Sequence, residues 1–225
     1  MKKLHRGGSS PDGEPLSAGR VEYLEAARQR VRRRRLRRTA ILLAALILVT
    51  LFATGAVGAS IARVKDMVDT VHIALSPAVG WPQQTGLGDL TAVQPMSGSF
   101  AAMDEDACVV YSLGGTRLAG IQSGYARPAL AAGKTRFVLY NRSGNELRVE
   151  SRTQNLYSKT LENSIYLCAM SDTGTLAVAT DSADSTARLT VYTPTMSEQL
   201  HWDMTSAQGT PVRMAFAADS RRLAV

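Results

Sequence analysis

From residue 39 to residue 62 the chain runs for 24 residues without a charge, TAILLAALILVTLFATGAVGASIA. As a helix this run extends roughly 36 Å at about 1.5 Å per residue, longer than the ~30 Å hydrocarbon core of a bilayer. It is apolar on every face, which a soluble amphipathic helix is not. The run is therefore predicted to span a membrane. Arg32, Arg33, Arg34, Arg35, Arg37 and Arg38 stand directly before it, whereas Arg63 and Lys65 after it are offset by Asp66 and Asp69. The positive-inside rule places the amino terminus in the cytoplasm and residues 63–225 outside. Ala56, Gly58 and Ala59 would suit a signal-peptidase site, but a 38-residue head and a 24-residue apolar run fit an uncleaved signal anchor better.

That topology redistributes the charge. The chain carries a formal net charge of +7, yet residues 1–38 hold 12 Lys/Arg against 4 Asp/Glu, leaving 14 against 15 for residues 39–225. The basic excess is a collar beside the predicted span, suited to anionic lipid headgroups, and gives no reason to expect a nucleic-acid partner. Two Cys and three His exclude a disulfide scaffold and a zinc-finger array.

Either side of the span the composition changes in steps. Residues 1–17 form a Gly/Ser/Pro-rich cytoplasmic tail, with Ser17 placed to cap a basic juxtamembrane helix over 18–38. Val64, Met67, Val68, Val71 and Leu75 share one helical face, which predicts an amphipathic stalk over 63–75, packed on the ectodomain or paired with another copy. Pro77 and Gly80 end it, and 76–98 reads as an extended linker.

From residue 99 to residue 225 the period shifts to that of strands. Eleven short β-branched and aromatic runs, beginning with ACVVYS (107–112), alternate with Gly, Asn, Asp and Ser turns. Two echoes suggest repeats. VVYSLGGTRL (109–118) matches VLYNRSGNEL (138–147), aligning Tyr111 with Tyr140 and Gly115 with Gly144. ALAAGKTRFVLY (129–140) matches AMSDTGTLAVAT (169–180) and AFAADSRRLAV (215–225) at spacings of 40 and 47 residues. Periods of about 40–50 residues suit four-stranded propeller blades. The fold class expected is an all-β ectodomain, a partial WD40-like β-propeller, with a β-sandwich as rival. Asp172 and Asp219 read as turn residues, Asp172 bonding its turn backbone beside a positive-φ Gly174. Eleven strands make fewer than three blades, so the chain is expected to be a piece of a longer protein.

The order of several phrases resembles an uncharacterised family of bacterial single-pass membrane proteins, a domain of unknown function from clostridia-like Gram-positive bacteria. They are GWP (80–82), VVYSLGG (109–115), YARPAL (125–130), RFVLYNRSG (136–144), ESR (150–152), SDTGTLAVAT (171–180), ARLTVY (187–192), Trp202 and FAADSRRLAV (216–225). The resemblance implies an amino-terminal anchor with a propeller-like exterior, and it implies no catalytic residue.

Site chemistry is sparse. GxSxG, HExxH, P-loop and GxGxxG motifs are missing. His201 and Asp203 share one face of a strand but lack a placed nucleophile. His72 has no second ligand nearby, and Asp104, Glu105 and Asp106 read as a solvated turn. Asn141-Arg142-Ser143 matches a glycosylation pattern but reads as a hairpin turn. Cys108 and Cys168 lie in strands outside the membrane, as a disulfide or as buried thiols. The function expected is a membrane-anchored, extracytoplasmic binding or scaffold protein of the cell envelope, not an enzyme and without a cofactor, whose partner is an envelope protein or polymer. Alternatives are a cofactor- or hydrolase-associated propeller with its catalytic part beyond residue 225, or a transmembrane signalling component.

Overall fold

The computed structural model describes residues 56–225, with side chains from Val64 onward, and three helical leucines upstream, Leu42, Leu43 and Leu46. The predicted tail, the basic helix with Arg32, Arg33, Arg34, Arg35, Arg37 and Arg38, and most of the predicted span lie outside the described residues. Among the described residues no helix is long and apolar enough to cross a membrane.

Among residues 56–225 a helix, α1 (Ala56–Leu75), precedes fourteen strands. Sheet 1 is β1 (Ala92–Met96), β2 (Ser99–Met103), β3 (Ala107–Ser112) and β4 (Arg117–Gln122). Sheet 2 is β5 (Pro128–Ala132), β6 (Arg136–Asn141), β7 (Glu146–Ser151) and β8 (Asn155–Thr160). Sheet 3 is β9 (Ile165–Met170), β10 (Leu176–Thr180), β11 (Ala187–Tyr192) and β12 (Glu198–Met204), and β13 (Ala215–Phe216) pairs with β14 (Leu223–Ala224). Each four-stranded sheet is an antiparallel meander. The first strands are neighbours, β1 beside β5, β5 beside β9 and β9 beside β13, so the sheets stand side by side like a fan and none closes on itself.

Period-two alternation explains why the middle strands read as unbroken apolar runs. In β6, Phe137 and Leu139 face sheet 1 and pack with Met103, Cys108 and Val110. Val138 and Tyr140 face the other way, against Ile165, Cys168 and Val178 of sheet 3. A strand buried on both faces has no polar side to alternate with. β10 follows the same rule with a size difference: Leu176 and Val178 point to sheet 2, Ala177 toward the smaller cluster holding Phe216 and Leu223.

A four-residue turn recurs. In Ser112–Gly115, Ser171–Gly174 and Thr193–Met196 the fourth amide donates to the first carbonyl at 2.9–3.0 Å. The hydroxyl of the first residue accepts the amide just after the turn, at 3.0, 2.9 and 3.2 Å. The fourth residue is left-handed each time: Gly115 and Gly174 at φ 85°, Met196 at φ 60°. Gly174 has a second constraint, since a Cβ there would sit 3.1 Å from Cδ of Arg136. Ser171, not Asp172, bonds the turn backbone; Asp172 instead pairs with Lys134 at 2.8 Å. Asp219 does bond its own turn, accepting the Arg221 amide at 3.0 Å.

Several sequence expectations need correction. β1, β2 and β5 escaped the strand pattern because AVQPM, SFAAM and PALAA are short and have few β-branched residues, with Pro in the first and last and adjacent Ala in the last two. The 76–98 stretch is not a free linker. It contains β1, and its earlier part straps the outer face of sheet 1, where the Trp81 ring lies 5.7 Å from both Phe100 and Tyr111 and the Trp81 indole N–H donates to the Leu113 carbonyl at 2.9 Å. The alignment of Tyr111 with Tyr140 joins a third strand to a second strand, so it is a local likeness and not the repeat. The 129–140, 169–180 and 215–225 echo does follow the structure, each segment running from within a first strand through the turn and along the second.

Cys108 and Cys168 are free, buried thiols in two different apolar clusters, and no disulfide joins them. Burial pushes the Cys108 thiol up to about 12, helped by the charges of Glu150 and Asp104. Burial also raises that of Cys168. Since the thiolate is the nucleophile, a bulky maleimide is expected to label neither cysteine in the folded protein and both in denaturant, read as intact mass. Labelling of the native protein would show that the packing around these strands is open.

Candidate functional site

The polar face of α1 is bound into the β domain by two arginines. Arg136 opens β6 and Arg152 directly follows β7, so both reach the same end of sheet 2. Their side chains are 2% and 0% exposed. The Arg136 Nε donates to both carboxylate oxygens of Asp66 at 3.1 Å, and its Nη1 donates to the Pro194 carbonyl at 2.7 Å in the β11–β12 turn. Arg152 donates from Nε to Asp69 at 3.3 Å, from Nη1 to the Ser97 carbonyl at 2.8 Å, and from Nη2 to Thr70 Oγ1 at 2.7 Å and the Asp66 carbonyl at 3.3 Å. Thr135 and Thr153 add hydroxyl donations to Asp66 and Asp69. Ile73 is buried on the same helical face.

A guanidinium taken out of water costs several kcal/mol unless its donors are met. Here the donors are met by groups from α1, from the β1–β2 turn of sheet 1 and from the β11–β12 turn of sheet 3. The two side chains therefore tie the helix and all three sheets together. The residues expected to pack do the reverse: Val64, Met67, Val68, Val71 and Leu75 are exposed, and the acids opposite them are the packed face. Sequence reasoning missed the latch. Asp66, Asp69 and Ile73 share a helical face, but two acids on a helix ordinarily mark the solvated side, and their arginines lie some 70 to 80 residues away.

A second feature is a groove of about 380 Å³ between sheets 2 and 3, lined by Lys159, Glu162, Arg188, Tyr192, Glu198 and His201. The Lys159 ammonium lies 4.3 Å from the centre of the Tyr192 ring. Arg188 grips Asp203 with two hydrogen bonds, 2.6 and 3.1 Å, and that contact holds the Asp203 carboxyl below its ordinary value. His201 Nδ1 lies 2.8 Å from Glu198. His201 and Asp203 thus share a face, as their spacing implies, but take different partners. The groove offers both signs of charge and a ring face, which suits a polar ligand.

Of the other residues the sequence singles out, Asp104 and Asn141 hold backbone amides. Asp104 accepts the amides of Gly88 (2.8 Å), Asp106 (2.9 Å) and Ala107 (2.7 Å), so it fastens the 76–91 strap to the β2–β3 turn. Those hydrogen bonds, Gly88 foremost, lower its pKa. Asn141 accepts the Arg127 amide at 3.2 Å in the β6–β7 turn, where Ser143 takes a φ of 64°. His72 is exposed on α1, and no group of three or more His, Cys, Asp or Glu among the described residues could hold a metal.

Residues 79–225 match the pattern of DUF5711, a family of unknown function, and the chain belongs to that family. No curated protein matches. Among solved structures, Kluyvelomyces marxianus Hsv2 is similar at 17% identity and a TM-score of 0.48, over 60% of this chain and 43% of that one. A candidate exported protein of Bacteroides fragilis is similar at 15% identity and a TM-score of 0.37, over 56% and 41%. The chain thus spans about two fifths of the length of each.

Arg152→Ala leaves Asp69 buried without its cation and is expected to destabilise the β domain by about 3–5 kcal/mol, measured from urea unfolding. Adding Asp69→Asn should cost less than the sum of the two single changes, by about 1–3 kcal/mol. Additive costs would show that the pair is not coupled. Asp104 gives a pH signature. A carboxyl whose folded pKa is lowered contributes stability that is complete above the ordinary aspartate value of about 3.9 and is lost as pH falls from there through the lowered value. Asp104→Asn is expected to flatten the acid limb of the stability curve below about pH 4, followed by tryptophan fluorescence.

Proposed function

We propose that this DUF5711 protein is a membrane-anchored, extracytoplasmic binding scaffold of a bacterial cell envelope, built as a partial WD40-like β-propeller on a single-span anchor. The latch of Asp66 and Asp69 onto Arg136 and Arg152 carries the reading. It makes α1, whose first residues overlap the uncharged 39–62 run, part of the folded β domain, and a domain meant to float on a leash has no use for that. The run itself and the +8 of residues 1–38 supply the anchor and its orientation.

In this reading the protein binds and does not catalyse, and it needs no cofactor. The groove between sheets 2 and 3 is where an envelope polymer or protein segment would lie: Tyr192 offers a flat face, while Lys159 and Glu198 offer opposite charges. The nearly neutral exterior, 14 basic against 15 acidic residues over 39–225, favours such a partner over nucleic acid.

Two measurements test the proposal. The full chain is expected in the membrane fraction and to resist alkaline extraction, and protease added to intact protoplasts should digest residues 63–225. Release by alkali, or protection of those residues, overturns the anchor or its orientation respectively.

A further inference from the structure

We infer that the outward face of α1 is a self-association seam, which pairs with α1 of another copy of this chain. Val64, Val68, Val71 and Leu75 are spaced 4, 3 and 4 residues apart, the a/d pattern of a coiled coil. At about 100° per residue they fall within roughly 60° of arc. Asp66, Asp69 and Ile73, which hold the helix to its own domain, lie on the opposite side. The residue types continue the same spacing upstream, with Ile61 and Val57, so the pattern runs the whole length of α1. All four described seam residues are exposed, from 49% at Val71 to 78% at Leu75, and Met67 beside them is 69% exposed.

An ordinary surface helix turns such a stripe toward its own core. Here the core-facing side is already taken by the ion pairs to two buried guanidiniums, so the apolar side is left for a partner, and the β domains would sit on the outside of the paired helices. A second copy fits better than other occupants on two grounds. Uncharged residues 39–62 overlap α1 in sequence over residues 56–62, so copies anchored through that run present their helices in parallel and in the same register. This ground rests on the anchor proposed above. The second is area. Covering the five side chains on two copies removes about 800–1,000 Å², the weak end of specific association. Confinement in one membrane offsets the shortfall by raising the effective concentration.

The test uses the full chain in membranes, with single cysteines placed at Val64, Val68, Val71 and Leu75 and, as exposed controls off the helix, at Leu113 and Leu200. The native thiols are buried, so the unaltered chain supplies the background. Oxidation or a short bis-maleimide is expected to join copies at the four seam positions about tenfold more than at the controls, and the ladder gives the number of copies. Val68→Asp with Val71→Asp should abolish joining at Leu75→Cys. Equal joining at seam and controls, or none at the seam, overturns the inference. Labelling of the seam by a lipid-phase photoprobe without joining also overturns it, and assigns the stripe to the bilayer surface. Alkaline extraction of the same samples separates the two proposals. Joining in a chain that alkali releases keeps the seam and refutes the anchor, whereas an extraction-resistant chain without joining refutes the seam alone.

Discussion

Two guanidinium groups with almost no access to water set the terms for the rest of the β domain. Arg136 and Arg152 cannot be left unpaired at that depth, so Asp66 and Asp69 must be present, and these sit on α1. The same guanidiniums take backbone carbonyls from the turns at Ser97 and Pro194, one from each flanking sheet. A fan of sheets that does not close has weak lateral restraint where its members meet. Polar clamps of fixed geometry add direction to apolar contacts that have none. Replacing such an arrangement by a well-packed apolar one is often no less stable, so what these pairs add is a defined seat for the helix.

The apolar contacts are organised by strand parity. Because β6 sends Phe137 and Leu139 one way and Val138 and Tyr140 the other, one strand feeds two clusters and welds sheets 1 and 2 to sheet 3. The turns repeat with the same economy. Ser112, Ser171 and Thr193 each use a hydroxyl to hold the amide after the turn. Gly174 shows how a local rule serves a distant one, giving the left-handed corner and leaving room for the Arg136 side chain.

Among the described residues no sheet lies on the outer face of sheet 1, and the 76–91 strap covers it instead. Leu87 and Trp81 supply the apolar cover, while Asp104 and the Tyr111 hydroxyl pin the strap at Gly88 and Gln84. Helix, strap and first sheet thus form one continuous entry into the fold. Sheet 3 differs: β12 stays exposed along most of its length, with Leu200 and Trp202 outward.

The sequence by itself determined the class of structure. Period-two runs, turn residues and the echo of 129–140 with 169–180 and 215–225 mark a meandering all-β domain, because alternation and turn chemistry are local and survive in a single chain read alone. The uncharged run at 39–62 and its arginine collar are equally local. What the tertiary structure decided are the features whose cause is remote. β1, β2 and β5 are strands because neighbours pair with them, not because AVQPM, SFAAM or PALAA favour that state. Cys108 and Cys168 could have read as partners until they were placed in separate clusters. Above all, the polar side of α1 faces inward and its valines outward. Helical periodicity identifies two faces but does not say which is buried. That choice was made by Arg136 and Arg152, far along the chain, whose charges, almost without access to water, had to be met.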